Sequence, residues 1–212
     1  MIEIIPGILE KTFEATRAKL NKVRTLANWV QIDILDNTLI KNTTFNDFAP
    51  YRDYSKQFNF EAHLMVTNPT HYVKPLADAG FRRVIAQVEG TGIREFIEKA
   101  HLHEDLEVGV AIDAPSDLEL IEPFLAKVDC ALVMMYRMGF SGQTFQKEQL
   151  EKIVKMKEMY PELPIEVDGG IDDQTAPLVI QAGATRLVST SFLFWKNADR
   201  IPAAIEELRG IS

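Results

Sequence analysis

The sequence has little that would cross-link it, anchor it in a membrane or bind it to nucleic acid. Its single cysteine, Cys130, excludes a disulfide within the chain, and the apolar residues around it (VDCALVMM) predict a core position. No apolar run approaches the roughly 20 residues that span a bilayer, and the N-terminus MIEIIPG lacks the pattern of a signal peptide. The formal net charge of −8 argues against nucleic acid. We therefore expect a cytoplasmic protein with no membrane or nucleic-acid partner.

A dinucleotide fingerprint is also missing, because no Gly-x-Gly-x-x-Gly follows the first apolar run. This argues against an open doubly wound sheet, the second-best fold for the pattern. Short apolar runs alternate with longer amphipathic segments along all 212 residues, which is typical of βα repeats. The predicted fold is a single-domain α/β protein, a (β/α)₈ TIM barrel over 1–212. Predicted strands are 2–9, 29–35, 59–66, 83–88, 107–112, 130–135, 165–167 and 186–188; predicted helices are 12–27, 48–57, 69–79, 93–101, 115–125, 146–159, 173–182 and 198–208.

Polar side chains recur where several of these strands end, which is where barrel enzymes place their chemistry. Gln31 and Asp33 lie two residues apart and so share one face of the second strand. A carboxylate in a buried strand is costly unless it is paired, hydrogen-bonded or bound to a metal. His63 and Asp168 are the matching candidates on strands three and seven. We expect no comparable polar cluster at the other end of the barrel. Glu61 and Glu166, which alternate with the inward positions, are expected to face outward or to be paired.

Glycine-rich loops follow the later strands. They comprise 139–142 and Gly169–Gly170; the segment Thr190–Ser191, which has no glycine, follows the eighth strand. Glycine lets backbone N–H groups approach an anion closely, and the loops after strands seven and eight are the usual phosphate site of such barrels. This pattern predicts binding of a phosphorylated ligand.

Four separated motifs follow one another along nearly the whole chain. They are Asp33-Ile34-Leu35-Asp36 with Asn42; His63-Leu64-Met65 followed by Asn68-Pro69; Leu132-Val133-Met134 followed by Gly139-Phe140-Ser141-Gly142-Gln143 with Phe145; and Glu166-Val167-Asp168-Gly169-Gly170-Ile171. In this order they resemble the ribulose-phosphate 3-epimerase family. The related decarboxylase and aldolase-type barrels carry an Asp-x-Lys-x-x-Asp motif on strand three, where this sequence has His-Leu-Met.

The resemblance implies an isomerase that interconverts ribulose 5-phosphate and xylulose 5-phosphate at carbon 3. Asp33 and Asp168 match the two proton-transferring carboxylates, which suit epimerisation next to a ketone. Asp33, His63 and Asp168, with Gln31, match the ligands of a divalent cation, which could be Mn, Zn, Fe or Mg. The resemblance also implies a phosphorylated ketose substrate and a homo-oligomer. Candidate substrate and phosphate residues are Gly7, Met65, Met134, Gly139, Phe140, Ser141, Gly142, Gly169, Gly170, Thr190 and Ser191.

The sequence departs from the family at the mouth of the barrel. Gln31 stands at the position of a histidine ligand, Gly7 at that of a serine, and Thr190 at that of a glycine; Gln87 stands where a histidine is common. Tyr136-Arg137-Met138 replaces Val-Asn-Pro. Two carboxylates, one imidazole and one amide suit Mn²⁺ or Mg²⁺ better than Zn²⁺, and loss of the metal is the other outcome that this ligand set leaves open. Two alternatives therefore stay open: an epimerase-like barrel for another ketose phosphate, and a phosphosugar-binding protein that has lost turnover.

Overall fold

The protein folds as a closed barrel of eight parallel strands, paired in sequence order. The structure is a computed structural model that describes residues 2–210; the outer limits of the predicted domain, at residues 1, 211 and 212, lie outside this range. The strand order β1 to β8 is closed by pairing of β1 with β8, so the predicted (β/α)₈ barrel is confirmed. The strands are β1 Glu3–Ile8, β2 Trp29–Ile34, β3 Asn59–Leu64, β4 Phe81–Gln87, β5 Glu107–Ile112, β6 Cys130–Met134, β7 Ile165–Asp168 and β8 Arg186–Ser189.

Helical segments follow the strands. The α-helices are α1 Phe13–Val23, α2 Val73–Asp78, α3 Ile93–Ala100, α4 Glu122–Leu125, α5 Leu150–Met159, α6 Ala176–Ala182 and α7 Ile201–Leu208. A 3₁₀ helix, Ala49–Asp53, takes the place of the longer helix predicted over 48–57. Its Tyr51 is fully buried among the rings of Phe13, Phe60 and Phe81, with centroids 5.3–5.4 Å apart. Aromatic packing rather than helical periodicity therefore fixes this segment.

The strands separate two apolar cores. Outward-facing strand residues such as Ile32, Phe60 and Val133 join one large cluster with the helices. A second cluster lies inside the barrel and combines inward-facing residues of β4, β5 and β6 with residues that follow β2, β3 and β6. Its members are Leu35, Met65, Ile85, Ala111, Cys130, Leu132, Met134, Tyr136 and Met138. Cys130 is buried in this inner core, as predicted.

A buried charged cluster fills the barrel at the amino-terminal ends of the strands. Arg83 is fully buried and pairs with Glu61, with Glu107 at 2.8 Å and with Glu166 at 3.5 Å. Its guanidinium carbon also lies 3.8 Å from the ring centroid of Trp29. The expectation that this end carries no polar cluster was therefore wrong. Glu61 and Glu166 are paired, one of the two outcomes expected for them. They do not alternate with the inward positions, however, because they face into the barrel on the same side of their strands as His63 and Asp168. The sequence pattern identified Glu61 and Glu166 as acids within strands. It did not predict that the Arg83 side chain would lie inside the barrel and pair with them.

No helix among residues 2–210 combines the length and apolar character needed to cross a bilayer.

Candidate active site

Asp33, His63 and Asp168 converge at the carboxyl ends of their strands. The parallel register of β2 and β3 places Asp33 beside His63, and Asp168 is the last residue of β7. His63 Nδ1 lies 3.2 Å from Asp33 Oδ1 and 3.8 Å from Asp168 Oδ2. All three side chains are buried. Three polar residues from distant parts of the chain thus face one point inside the barrel.

Gln31 joins the two carboxylates. Its amide Nε2 donates to Asp33 Oδ1 at 2.9 Å and to Asp168 Oδ2 at 2.8 Å. Both amide hydrogens are used in this way, while Gln31 Oε1 is buried and has no hydrogen-bond partner. The Gln31 side chain therefore links the two carboxylates, and its Oε1 is left as an acceptor without a partner.

The electrostatics of the site favour a proton or a cation between the acids. Burial raises the pKa of Asp168 to about 7, and the neighbouring Asp33 adds to the rise, while His63 and Gln31 oppose it. Burial alone would lower the pKa of His63, but hydrogen bonding and charge from Asp33, together with Asp168, bring it above its ordinary value. Because two buried acids repel, neutralising one of them stabilises the pair.

The donor set fits a divalent metal ion. One ligand atom each from Asp33, His63 and Asp168 lies within 4.8 Å of the others. The unpartnered Gln31 Oε1 could supply a fourth ligand if the amide rotated. Two carboxylates, an imidazole and an amide carbonyl are ligands that Mn²⁺ or Mg²⁺ accepts readily.

A small cavity of about 10 Å³ lies above the two aspartates. This is room for about one water molecule. Several predicted substrate residues line it: Met65, Met134, Gly139, Phe140, Ser141 and Thr190. The structure thus brings the first part of the 139–142 loop over the aspartates.

A larger cavity of about 230 Å³ lies beside the first. Its walls include the predicted residues Gly142, Gly170, Thr190 and Ser191. Asp168, Tyr136 and Thr190 line both cavities. Gly169 lies against the ring of Tyr136, which a Cβ there would approach to 3.0 Å. Loops after β6, β7 and β8 therefore surround one space next to the acids.

The remaining predicted residue, Gly7, faces β8. A Cβ at this position would collide with Thr190 Oγ1 and would lie 2.9 Å from Val188 Cγ1. No unusual backbone angle requires glycine there, so lack of space is the reason. Gly7 and Thr190, two separate departures in the sequence, are thus spatial neighbours that depend on each other.

Sequence reasoning missed several residues of the larger cavity. Lys196 lies in its wall, and its Nζ is 3.3 Å from Asp172 Oδ2. Thr175 donates to the Gly170 carbonyl at 2.8 Å and so braces the loop after β7. Lys196 belongs to a π-helical turn, Phe192–Lys196, that no sequence pattern indicated. Tyr136 was visible as a departure, but only the structure shows that it separates two cavities.

Comparison with known proteins shows the family to which the chain belongs. Residues 3–194 match the model of the ribulose-phosphate 3-epimerase family. The chain belongs to this family. It is 33% identical over 202 residues to the cytoplasmic isoform of ribulose-phosphate 3-epimerase from Oryza sativa subsp. japonica, covering 91% of this chain and 87% of that protein. It is 31% identical to ribulose-phosphate 3-epimerase of Bacillus subtilis, covering 99% of both. The expected family and enzyme class, an isomerase of the epimerase type, are confirmed.

Solved structures support the same architecture for this epimerase-family chain. It resembles 3-hexulose-6-phosphate synthase from Salmonella typhimurium with a TM-score of 0.74, 17% identity and coverage of 99% and 98% of the two chains. It also resembles KGPDC from Streptococcus mutans with a TM-score of 0.76, 13% identity and coverage of 99% and 96%. At these identities the likeness shows a common fold alone.

Proposed function

We propose that the protein interconverts ribulose 5-phosphate and xylulose 5-phosphate by moving a proton at carbon 3. The observation that carries this proposal is the convergence of Asp33 and Asp168 within one buried site beside a cavity large enough for a phosphate. Family membership supports the same reaction.

The two carboxyl groups divide the proton transfer. One, as carboxylate, removes the carbon-3 proton and leaves an enediolate; the other, as carboxylic acid, returns a proton to the opposite face. In the metal-free site burial raises the pKa of Asp168 to about 7, so this carboxyl can hold a proton there near neutrality. Gln31 keeps both acids in place through its two N–H donors. No net oxidation or reduction occurs, so the residues need only exchange protons with the substrate.

Asp33, His63 and Asp168 would hold the divalent cation. Gln31 Oε1 would become a fourth ligand only if the amide turned, which would replace its two N–H bonds to the acids. A bound cation would stabilise the negative charge that develops on the substrate oxygens. The ligand chemistry favours Mn²⁺ or Mg²⁺ over Zn²⁺.

The phosphate would occupy the larger cavity. Gly142, Gly170, Thr190 and Ser191 form its polar wall, and Lys196 adds a positive charge at its edge. Gly139, Phe140 and Ser141, with Met65 and Met134, would cover the sugar carbons, while Gly169 and Gly7 leave space for Tyr136 and Thr190. A sugar needs more room than the smaller cavity provides, so the 139–142 loop must move when the substrate enters.

The decisive measurement is epimerisation of ribulose 5-phosphate by metal-stripped protein, with Mn²⁺, Mg²⁺, Zn²⁺ or Fe²⁺ returned separately. We expect turnover with Mn²⁺ or Mg²⁺, and a shift toward Zn²⁺ in Gln31→His because imidazole is the better zinc ligand. Asp168→Asn should lose activity by at least about 10²-fold, the lower end of what a general acid–base residue contributes. Gln149→Met, which changes a buried glutamine outside both cavities, serves as the control.

A binding protein without turnover is the second candidate. The narrow space above the aspartates and the Gln31 hydrogen bonds to both of them favour it. Binding of ribulose 5-phosphate without turnover under every metal condition would support this candidate. Turnover of a different ketose phosphate alone would instead indicate a shifted substrate.

We also propose a cytoplasmic homo-oligomer. The cytoplasmic isoform among the relatives supports the location, and the oligomer rests on the family resemblance. Light scattering during size-exclusion chromatography would give the mass of the assembly.

A further inference from the structure

We propose that Gln87 and Glu89 are positioning residues that hold His63 as its Nε2–H tautomer, with the Nδ1 lone pair facing Asp33 and Asp168. The consequence for metal binding rests on the proposed function; the tautomer itself does not. Neither residue belongs to the ligand set, and neither lines the two cavities.

The orientation of the Gln87 amide determines the tautomer. The amide lies 2.9 Å from His63 Nε2 on one side, and Glu89 Oε2 and the Ala111 carbonyl lie on the other. An amide oxygen turned toward those two acceptors would be repelled by both. In the opposite orientation Gln87 Nε2 donates to Glu89 Oε2 at 2.7 Å and to Ala111 O at 3.2 Å. Gln87 Oε1 then faces His63 and accepts a hydrogen bond from its Nε2–H at 2.9 Å.

Glu89 sets the direction of this chain of hydrogen bonds. Its other oxygen, Oε1, accepts from the Asp113 backbone N–H at 2.8 Å. An ionised carboxylate can only accept, so Gln87 must donate to it. The backbone at the end of β5 thereby anchors Glu89, Glu89 orients Gln87, and Gln87 orients His63.

The proton on His63 Nε2 determines what the other ring nitrogen, Nδ1, presents to the two aspartates. With the proton on Nε2, the Nδ1 lone pair points toward Asp33 Oδ1 at 3.2 Å and toward Asp168 Oδ2 at 3.8 Å. Three acceptors then face one point, an arrangement that attracts a cation. The other tautomer would direct an Nδ1–H toward Asp33 and block Nδ1 as a ligand. Hydrogen bonding at one ring nitrogen commonly selects the nitrogen that binds a metal.

The test compares Gln87→Met with Gln149→Met in the otherwise complete protein. Methionine keeps the length of the side chain, but its thioether is only a weak acceptor and does not replace the amide oxygen as the partner of His63 Nε2–H. Side-chain ¹⁵N NMR, with chelator present and at a pH where the imidazole is neutral, reports the protonated nitrogen. Loss of the signals in His63→Asn identifies the ring among the four histidines. We expect Nε2–H in the native protein and in Gln149→Met, and a shift toward Nδ1–H, bonded to Asp33, in Gln87→Met.

Metal affinity provides the second readout. Titration with Mn²⁺, followed by electron paramagnetic resonance, should show affinity reduced by about 10- to 100-fold in Gln87→Met and unchanged in Gln149→Met. Glu89→Gln replaces the carboxylate that accepts from Gln87 with an amide that can also donate. The fraction of Nδ1–H should rise in this variant, but less than in Gln87→Met, because the Ala111 carbonyl still accepts from Gln87. A native His63 protonated on Nδ1, or an unchanged tautomer in Gln87→Met, would overturn the proposal. A protein that shows the expected tautomers but never epimerises the sugar would refute the proposed function alone.

Discussion

At the scale of single residues, Asp168 is an acid whose surroundings oppose its charge. Asp33 lies beside it, and both are buried at the same point. Its pKa of about 7 compares with an ordinary value of 3.8. In the unfolded chain the group therefore releases its proton at a lower pH than in the folded protein. Between about pH 4 and pH 7 the folded state binds more protons, so this group makes stability fall as pH rises.

We predict that the metal-free native protein loses thermal stability relative to Asp168→Asn as pH rises from about 4 to about 7. The amide of the variant cannot ionise, so this contribution is missing from it. Melting temperatures of both proteins, measured with chelator across that range, give the comparison. Parallel curves would show that Asp168 does not titrate in this window.

Single residues also show how far sequence reasoning reached into the site. Asp33, His63 and Asp168 could be predicted because an acid or a histidine in an apolar strand is conspicuous. Lys196 could not, since its place in the wall depends on a π-helical turn after β8. The bridging role of Gln31 could not be predicted either, because it depends on where β7 places Asp168.

At the scale of elements, the contact between β1 and β8 shapes the mouth of the barrel. A Cβ on Gly7 of β1 would occupy the space that the Thr190 side chain fills just after β8. A side chain at residue 7 and the threonine side chain at residue 190 therefore exclude each other. Sequence shows both residues as unusual but cannot show that they touch, since their contact depends on barrel closure. The strands themselves were predicted well because buried parallel strands are short apolar runs. The 48–57 segment was predicted less well because tertiary aromatic contacts fix its form.

We predict that Gly7→Ala destabilises the native protein by about 1–3 kcal/mol, the usual cost of overpacking. In a Thr190→Gly background the same change should cost less, because the contact with Thr190 is gone while the contact with Val188 remains. Urea unfolding of the four proteins in this cycle measures the coupling. Equal costs in the two backgrounds would show that the Thr190 side chain does not restrict residue 7.

At the scale of the whole molecule, the barrel interior has a polar cluster at each end. Asp33, His63 and Asp168 lie at the carboxyl ends of the strands, and Arg83 with its acids lies at the amino-terminal ends. The charged cluster at the amino-terminal end binds strands from across the barrel to one another through Arg83. Burial raises the pKa of Glu166, and Glu61 adds to the rise, while Arg83 opposes it. Arg83 therefore compensates acids that would otherwise be costly to bury.

We predict that Arg83→Met destabilises the fold by about 3–5 kcal/mol, because it leaves buried acids without their cation. Arg82→Met is the matched control: its side chain is 48% exposed and pairs only at the surface with Asp105, at 3.4 Å. That change should alter stability by no more than about 0.5 kcal/mol. Chemical unfolding of both variants measures the change in the free energy of unfolding. Equal changes in the two variants would show that the buried ion pairs of Arg83 do not contribute to stability.

Closure of the barrel by β1 and β8 also has a consequence during synthesis on the ribosome. Asp33 is synthesised well before Asp168 and before the closing strand Arg186–Ser189. At about 5–20 residues per second, the nascent chain spends many seconds with its first acid exposed and its partner still unmade. A ribosome that stalls before residue 186 therefore leaves a fragment with no closed barrel, because β1 has no β8 to pair with.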